Sequence, residues 1–216
     1  MNADIRIGRA LCLGVSVSLI PDYLPNLERY LRDFSDSYPN LPVETLPMEN
    51  DEAVPALLGG AVDACLVMDT GRGRPGTVRT QLTEHPLAVL LKARLFLRGK
   101  RGVEAAELDG LRLFVPGQGE EFAPLFEAIR RSGATIDFQV MPSFYQVLFH
   151  VLDHDGMAIN RYDPRESVAH GGTQNLPFRG MPPLCCSFIE RAGEEAAAIA
   201  LLRDWLAVRL REEFGS

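Results

Sequence analysis

The sequence predicts an α/β protein made of two similar lobes joined by crossover strands, and three observations predict it. Short, buried-strand patterns alternate with amphipathic helical patterns along the whole chain. The β-α-β-α-β order of the first third returns after a Gly- and Pro-rich break at 71–76. Strand patterns between the two repeats, and again near the C-terminus, provide the crossings.

Leu11-Cys12-Leu13-Gly14-Val15 reads as a fully buried first strand. Apolar residues then recur at Leu24, Leu27, Tyr30/Leu31, Phe34 and Tyr38, one face of a helix that ends at Pro39. Pro21 and Pro25 leave its start ambiguous, because proline inside a helix removes a backbone bond. A strand over 41–46 precedes a helix over 51–58, which Gly59-Gly60 ends; 62–68 is a third buried strand. Strands over 78–82 and 87–91 cross towards the second lobe. There the pattern repeats, with strand 111–115, helix 120–131, strand 136–141, helix 144–152 and a short strand 157–159. Strands over 175–178 and 184–189 are expected to return to the first lobe. A closing helix over 194–211 turns Leu201/Leu202, Trp205/Leu206 and Leu210 inward. The expectation is two Rossmann-like lobes, 1–83 with 162–216 and 84–161, with a cleft where carboxyl ends of strands meet helix N-termini.

The 216 residues carry 22 basic and 29 acidic side chains, a net charge of −7. That balance argues against gripping a nucleic-acid backbone, which needs a basic face. The clusters Arg72-Gly73-Arg74 and Lys100-Arg101 read as solvated turns. No apolar run reaches the roughly 18 residues of a membrane span, and the charged N-terminus lacks the apolar stretch of a secretory signal. Cys12, Cys65, Cys185 and Cys186 show no ligand spacing and read as buried reduced thiols, which favours a cytoplasmic setting. His85, His150, His154 and His170 are scattered over loops and a helix. The i, i+4 pair His150/His154 suits a metal but has no clear third ligand, so neither metal nor cofactor is expected. No nucleophile elbow, phosphate loop or dinucleotide fingerprint occurs, and no acid/base pair is spaced for catalysis.

Several short motifs, in order along the chain, resemble the LysR-family effector domain. Gly8-Arg9-Ala10-Leu11-Cys12-Leu13-Gly14-Val15-Ser16 is similar to that family's opening "GRLRIGAS". Phe34-Ser35-Asp36-Ser37-Tyr38-Pro39 resembles "FRERYP", and Gly60-Ala61-Val62-Asp63-Ala64 resembles "GELDLA". Gln81 to Leu87 resembles "PLFEEPL", Val115-Pro116-Gly117-Gln118-Gly119 the "PPGSG" turn, and Ser143 to Asn160 the helix-strand segment that follows. The resemblance implies a type 2 periplasmic-binding-protein-like fold and a regulatory role without catalysis. It also implies a winged helix-turn-helix ahead of Gly8 in a complete member, so DNA contact is expected only through that missing part. A homodimer or homotetramer is implied too, helix 24–38 meeting a partner's helix 120–131. His154 stands where the family has glycine, and Arg161 where it has proline.

The candidate ligand-binding residues are Ser16, Val17, Ser18, Asn50, Gln118, Gly119, Ser143, Phe144 and Arg161. Ser16 and Ser18 lie between the first strand and a helix, where hydroxyls, free N–H groups and the helix dipole favour an anion, and where plain helix capping explains them equally well by position alone. Asn50, Gln118 with Gly119, and Ser143 with Phe144 occupy equivalent turns, and helix capping or an ordinary turn explains each equally well. Arg161 offers a guanidinium fork for a carboxylate, or a surface pair with Asp163 or Glu166. The expected partner is a small-molecule effector, a carboxylate or another polar compound. An exported solute-binding protein of the same fold is the alternative reading.

Overall fold

The computed structural model describes residues 9–92, 100–116, 120–154, 156–162, 173–193 and 196–214. In chain order the elements are β1 (Leu11–Ser16), α1 (Ile20–Ser37), β2 (Val43–Met48), α2 (Asn50–Leu58), β3 (Ala64–Asp69), β4 (Thr77–His85), β5 (Leu87–Lys92), β6 (Arg112–Pro116), α3 (Ala123–Arg131), β7 (Asp137–Met141), α4 (Phe144–Asp153), β8 (Met157–Arg161), β9 (Thr173–Pro177), β10 (Leu184–Arg191) and α5 (Ala197–Phe214). Two compact units result: residues 1–68, 73–83 and 185–216, and residues 69–72 and 84–184.

The first unit holds a five-stranded sheet in the order β2-β1-β3-β10-β4. β1 runs parallel to both neighbours, with Ser16 opposite Met48 and Leu13 opposite Ala64. Every position of β3 is buried, as a strand covered on both faces requires. α2 lays Ala53, Val54 and Leu57 over Met48, Cys65, Val67 and Ile189. Gly14 belongs to that layer, since a Cβ there would stand 2.9 Å from Met48 Sδ and 3.1 Å from Cys65 Sγ. Trp205 Nε1 of α5 donates to Tyr30 O of α1 at 3.1 Å, and the Trp205 ring meets Phe34 edge-on. Arg203 of α5 reaches Glu190 of β10 at 2.8 Å.

The ambiguous start of α1 resolves early. A 3-10 turn, Val17–Leu19, runs into the helix at Ile20, and Pro21 falls in the first turn, where its missing N–H has no intrahelical partner to lose.

The second unit repeats the architecture in the order β7-β6-β8-β5-β9. β6 is parallel to β7 and β8, whereas β5 is antiparallel to β8 and β9. Phe114, Val147, Val151 and Ala158 form a core cluster beneath α4. Gly156 lies against the Phe114 ring, and an added Cβ would run into it. The expected helix 120–131 begins as a 3-10 turn, Glu120–Phe122, and becomes α-helical at Ala123, with Pro124 in its first turn. A further 3-10 turn, Ala105–Leu108, closed by a reciprocal Glu104/Glu107 cap, has no counterpart in the sequence reading.

One expected strand changes sheet. The segment 175–178, expected to return to the first lobe, instead supplies β9, which pairs with β5 from Ala88 opposite Pro177 to Lys92 opposite Thr173. β5 has buried residues along its length and needs a partner on its second edge. The return to the first unit therefore comes at Cys185 rather than at 162. Residues 69–72 join the second unit, where Thr70 N and Oγ1 both donate to Glu121 O, at 3.1 and 3.0 Å. His85 is a buried strand residue, not a loop residue. Among the described residues no helix is long and apolar enough to cross a membrane.

Candidate functional site

In the first unit the parallel strands β1, β2 and β3 end at one sheet edge, and the chain turns from each end into the next element. Ser16, the last residue of β1, is fully buried, and its Oγ accepts the Ser18 N–H at 3.2 Å. That bond closes the turn through half-buried Val17. Ser18 is only 4% exposed, and its Oγ has no hydrogen-bond partner. Capping accounts for Ser16, whose oxygen takes the second N–H of the 3-10 turn Val17–Leu19, but not for Ser18. The cap position of α1 is Leu19, with helical angles (φ −85°, ψ −17°) and no side-chain bond. A buried hydroxyl without a partner costs about 1–3 kcal/mol, and this one stands at the N-terminus of an 18-residue helix, where backbone donors and the dipole favour negative charge.

Asn50 has a different role. It is the first residue of α2 rather than the residue before it, and the cap is Glu49, bonded reciprocally with Glu52. Its Nδ2 donates to Met68 O, and its Oδ1 accepts Met68 N–H at 3.3 Å. Both ends of the amide are engaged in pinning α2 to the end of β3. Asn50 shapes the edge on which Ser18 sits, and one Nδ2 hydrogen and one Oδ1 lone pair remain beyond these bonds.

In the second unit Ser143 caps α4 (φ −151°, ψ 160°), its Oγ accepting Gln146 N–H at 3.3 Å. Phe144 opens that helix. Arg161 lies within β8 rather than after it, opposite Leu87, and is 9% exposed, so it is not the surface residue the sequence allowed. Its carbonyl accepts Asn175 Nδ2 at 2.9 Å. Gln118 and Gly119 lie outside the described residues, as do Asp163 and Glu166.

The structure adds buried polar groups that the sequence reading missed. Thr83 Oγ1 of β4, Ser187 Oγ of β10 and Asn175 Oδ1 of β9 are buried without hydrogen-bond partners. Hydroxyls within strand patterns carry no separate signal, because alternation alone does not say which face is covered. The thiols are free, and burial pushes Cys65 up to about 12. Cys12 is raised by burial first and then by Asp63. Such groups stay protonated near neutral pH and are poor nucleophiles. His150 stacks between Phe114 (5.3 Å) and His154 (5.0 Å), so the i, i+4 pair closes the end of α4 against the core. No group of three His, Cys, Asp or Glu among the described residues could hold a metal ion.

Two α/β units, each built on a five-stranded sheet of this topology, define a fold of the periplasmic-binding-protein-like class. The chain matches the LysR substrate binding domain over residues 6–211 and belongs to that family, one of regulatory effector-binding domains. Three solved structures share its fold. The BenM effector binding domain with its effector benzoate is 20% identical, with a TM-score of 0.71, over 97% of this chain and 96% of that one. The CcmR regulatory domain of Synechocystis PCC6803 in complex with 2-PG is 14% identical, with a TM-score of 0.70, over 93% and 96%. CbnR, a LysR family transcriptional regulator, is 18% identical, with a TM-score of 0.67, over 91% of this chain and 68% of that one. No curated protein sequence matches the chain.

Proposed function

We propose that this chain senses a small-molecule effector for a LysR-type transcriptional regulator, and that the effector carries a carboxylate or a comparable polar group. The observation that carries this reading is the Ser18 hydroxyl, 4% exposed and without a partner at the N-terminus of α1. A ligand oxygen there would satisfy the hydroxyl and the first N–H groups of the helix together. Ser16 and Val17 hold the turn in shape, and Asn50 holds the neighbouring edge. From the second unit, Ser143, Phe144 and Arg161 are the remaining candidates, with Gln118 and Gly119. Ser143 keeps its cap while its hydroxyl hydrogen stays free to donate, and Arg161 offers a charged fork. Effector chemistry in two relatives of this fold, benzoate on BenM and 2-PG on CcmR, supports a small polar ligand.

The work of such a site is binding rather than catalysis. An effector that prefers one state of the regulator shifts the population towards it in proportion to its differential affinity. In the full regulator, a homodimer or homotetramer, that shift would act on DNA through an N-terminal reading head. The solute-binding alternative is not favoured, because the family match is to the regulatory domain. A thermal-shift screen against small carboxylates and aromatic acids tests the reading. A true effector at about a hundred times its Kd adds about 2.7 kcal/mol, or roughly 5–11 °C for a chain of this length. A screen in which no polar metabolite raises the melting temperature would remove the proposal.

A further inference from the structure

We propose that the second unit carries a binding site for a small, multiply charged oxyanion, formed by Arg101, Arg131 and Arg179. A cavity of about 550 Å³ is lined by Glu104, Ala128, Arg131, Ser132, Arg179 and Met181. A neighbouring cavity of about 430 Å³ shares Glu104 and Arg179 with it and adds Lys100 and Arg101. Both volumes fall in the range of metabolite sites.

The fold brings these arginines together from three places in the chain. Arg131 is the last residue of α3. Val103 N donates to Pro177 O at 2.9 Å and Arg179 N donates to Val103 O at 2.8 Å, so the segments carrying Arg101 and Arg179 run side by side. The Arg179 side chain crosses Gly102, its Nε 2.8 Å from where a Cβ would stand. A side chain at 102 would push the Arg179 guanidinium aside and would stand 3.2 Å from Pro177 O.

The charges at this place do not cancel. Glu107 takes the Lys100 ammonium and the Glu104 N–H, and Glu104 is engaged in the reciprocal cap. The guanidinium groups of Arg101, Arg131 and Arg179 are left with no ion pair or hydrogen bond among the described residues. Elsewhere Arg9, Arg112, Arg203 and Arg209 all meet carboxylates. Arg131 lines the first concavity, Arg101 the second and Arg179 both, and three unpaired guanidinium groups so placed in a chain of net charge −7 run against the average field of the molecule. Guanidinium forks match phosphate and carboxylate oxygens in pairs. Two adjoining open concavities with Glu104 and Glu107 at the rim make a short basic patch interrupted by carboxylates, which suits a compact anion better than a nucleic-acid backbone that follows a continuous basic stripe. The Lys100-Arg101 cluster, read from sequence as a solvated turn, is thereby part of a site.

Titration calorimetry on the whole chain tests this with inorganic pyrophosphate, citrate and a duplex DNA oligonucleotide as probes. Saturable binding of pyrophosphate or citrate is expected, the tighter of the two naming the phosphate or polycarboxylate source, and weakening as salt is raised. Arg179→Ala and Arg131→Ala are each expected to weaken it roughly tenfold or more. Arg211→Ala, an exposed arginine on α5, and Ser18→Ala are expected to leave it unchanged, which separates this site from the effector turn. Absence of saturable binding, equal losses in Arg211→Ala, or a preference for duplex DNA with the same dependence on Arg179 would each overturn the proposal.

Discussion

Ser18 in the first unit and Ser143 in the second occupy comparable places, each a small hydroxyl between a parallel strand and a helix. The structure gives them opposite circumstances. Ser143 has extended angles at the N-cap of α4, and its oxygen accepts a helix N–H. Ser18 sits inside a 3-10 turn that is already helical at Leu19, and its oxygen accepts nothing. Backbone geometry at the entry to the helix, rather than residue type, decides whether a serine stabilises the fold or stands ready for a ligand. Asn50 extends the comparison to its limit, a buried polar side chain with both ends engaged on Met68.

Removing Asn50 is therefore expected to have the largest effect. In Asn50→Ala the Met68 N–H and C=O lose their partner in a buried place. Each such group costs about 1–3 kcal/mol, so a loss of about 2–4 kcal/mol is expected in urea denaturation. A loss below about 0.5 kcal/mol, the range of ordinary surface substitutions, would show that the clamp is not engaged in solution.

Ser143→Ala comes next. Loss of a side-chain N-cap costs about 1 kcal/mol, and the same denaturation experiment reads it. Effector affinity is expected to fall less in this variant than stability does. An affinity loss of tenfold or more with no change in stability would reverse the roles assigned to the two serines.

The same contrast marks how far the sequence was legible. β3 and the inward face of α5 could be read from residue pattern, because continuous burial and helical spacing are local properties. The partner of β9 could not. Its strand character was legible at 175–178, overlapping the observed Thr173–Pro177, but the choice of β5 depends on which sheet edge is open after the whole chain has folded. In the site, the positions of Ser16, Ser18 and Ser143 were legible as strand-to-helix turns, whereas their roles depend on angles at Leu19 and Ser143 that no single residue type dictates. Asn50 read equally well as a ligand contact or a cap, yet Glu49 and Glu52 bond each other's backbones and release Asn50 for Met68. Arg161 looked like a residue just beyond a strand. Its pairing opposite Leu87 extends β8 by two residues and buries it.

Ser18→Ala should have the smallest effect on the fold and is the most informative of the three. Its hydroxyl makes no bond to lose, and replacing a buried, unsatisfied oxygen with a methyl group removes a desolvation cost. Stability is expected to stay within about 0.5 kcal/mol of the parent or to rise slightly. Effector affinity is expected to fall about tenfold if the hydroxyl donates to a carboxylate, since hydrogen bonds to charged groups contribute about 1.5–3 kcal/mol. Ser18→Thr, which keeps the hydroxyl on a larger side chain, separates chemistry from space: partial recovery of affinity assigns the effect to the hydrogen bond. Loss of stability in Ser18→Ala with affinity intact would make Ser18 a residue that caps its helix, as Ser143 does, and remove it from the effector site.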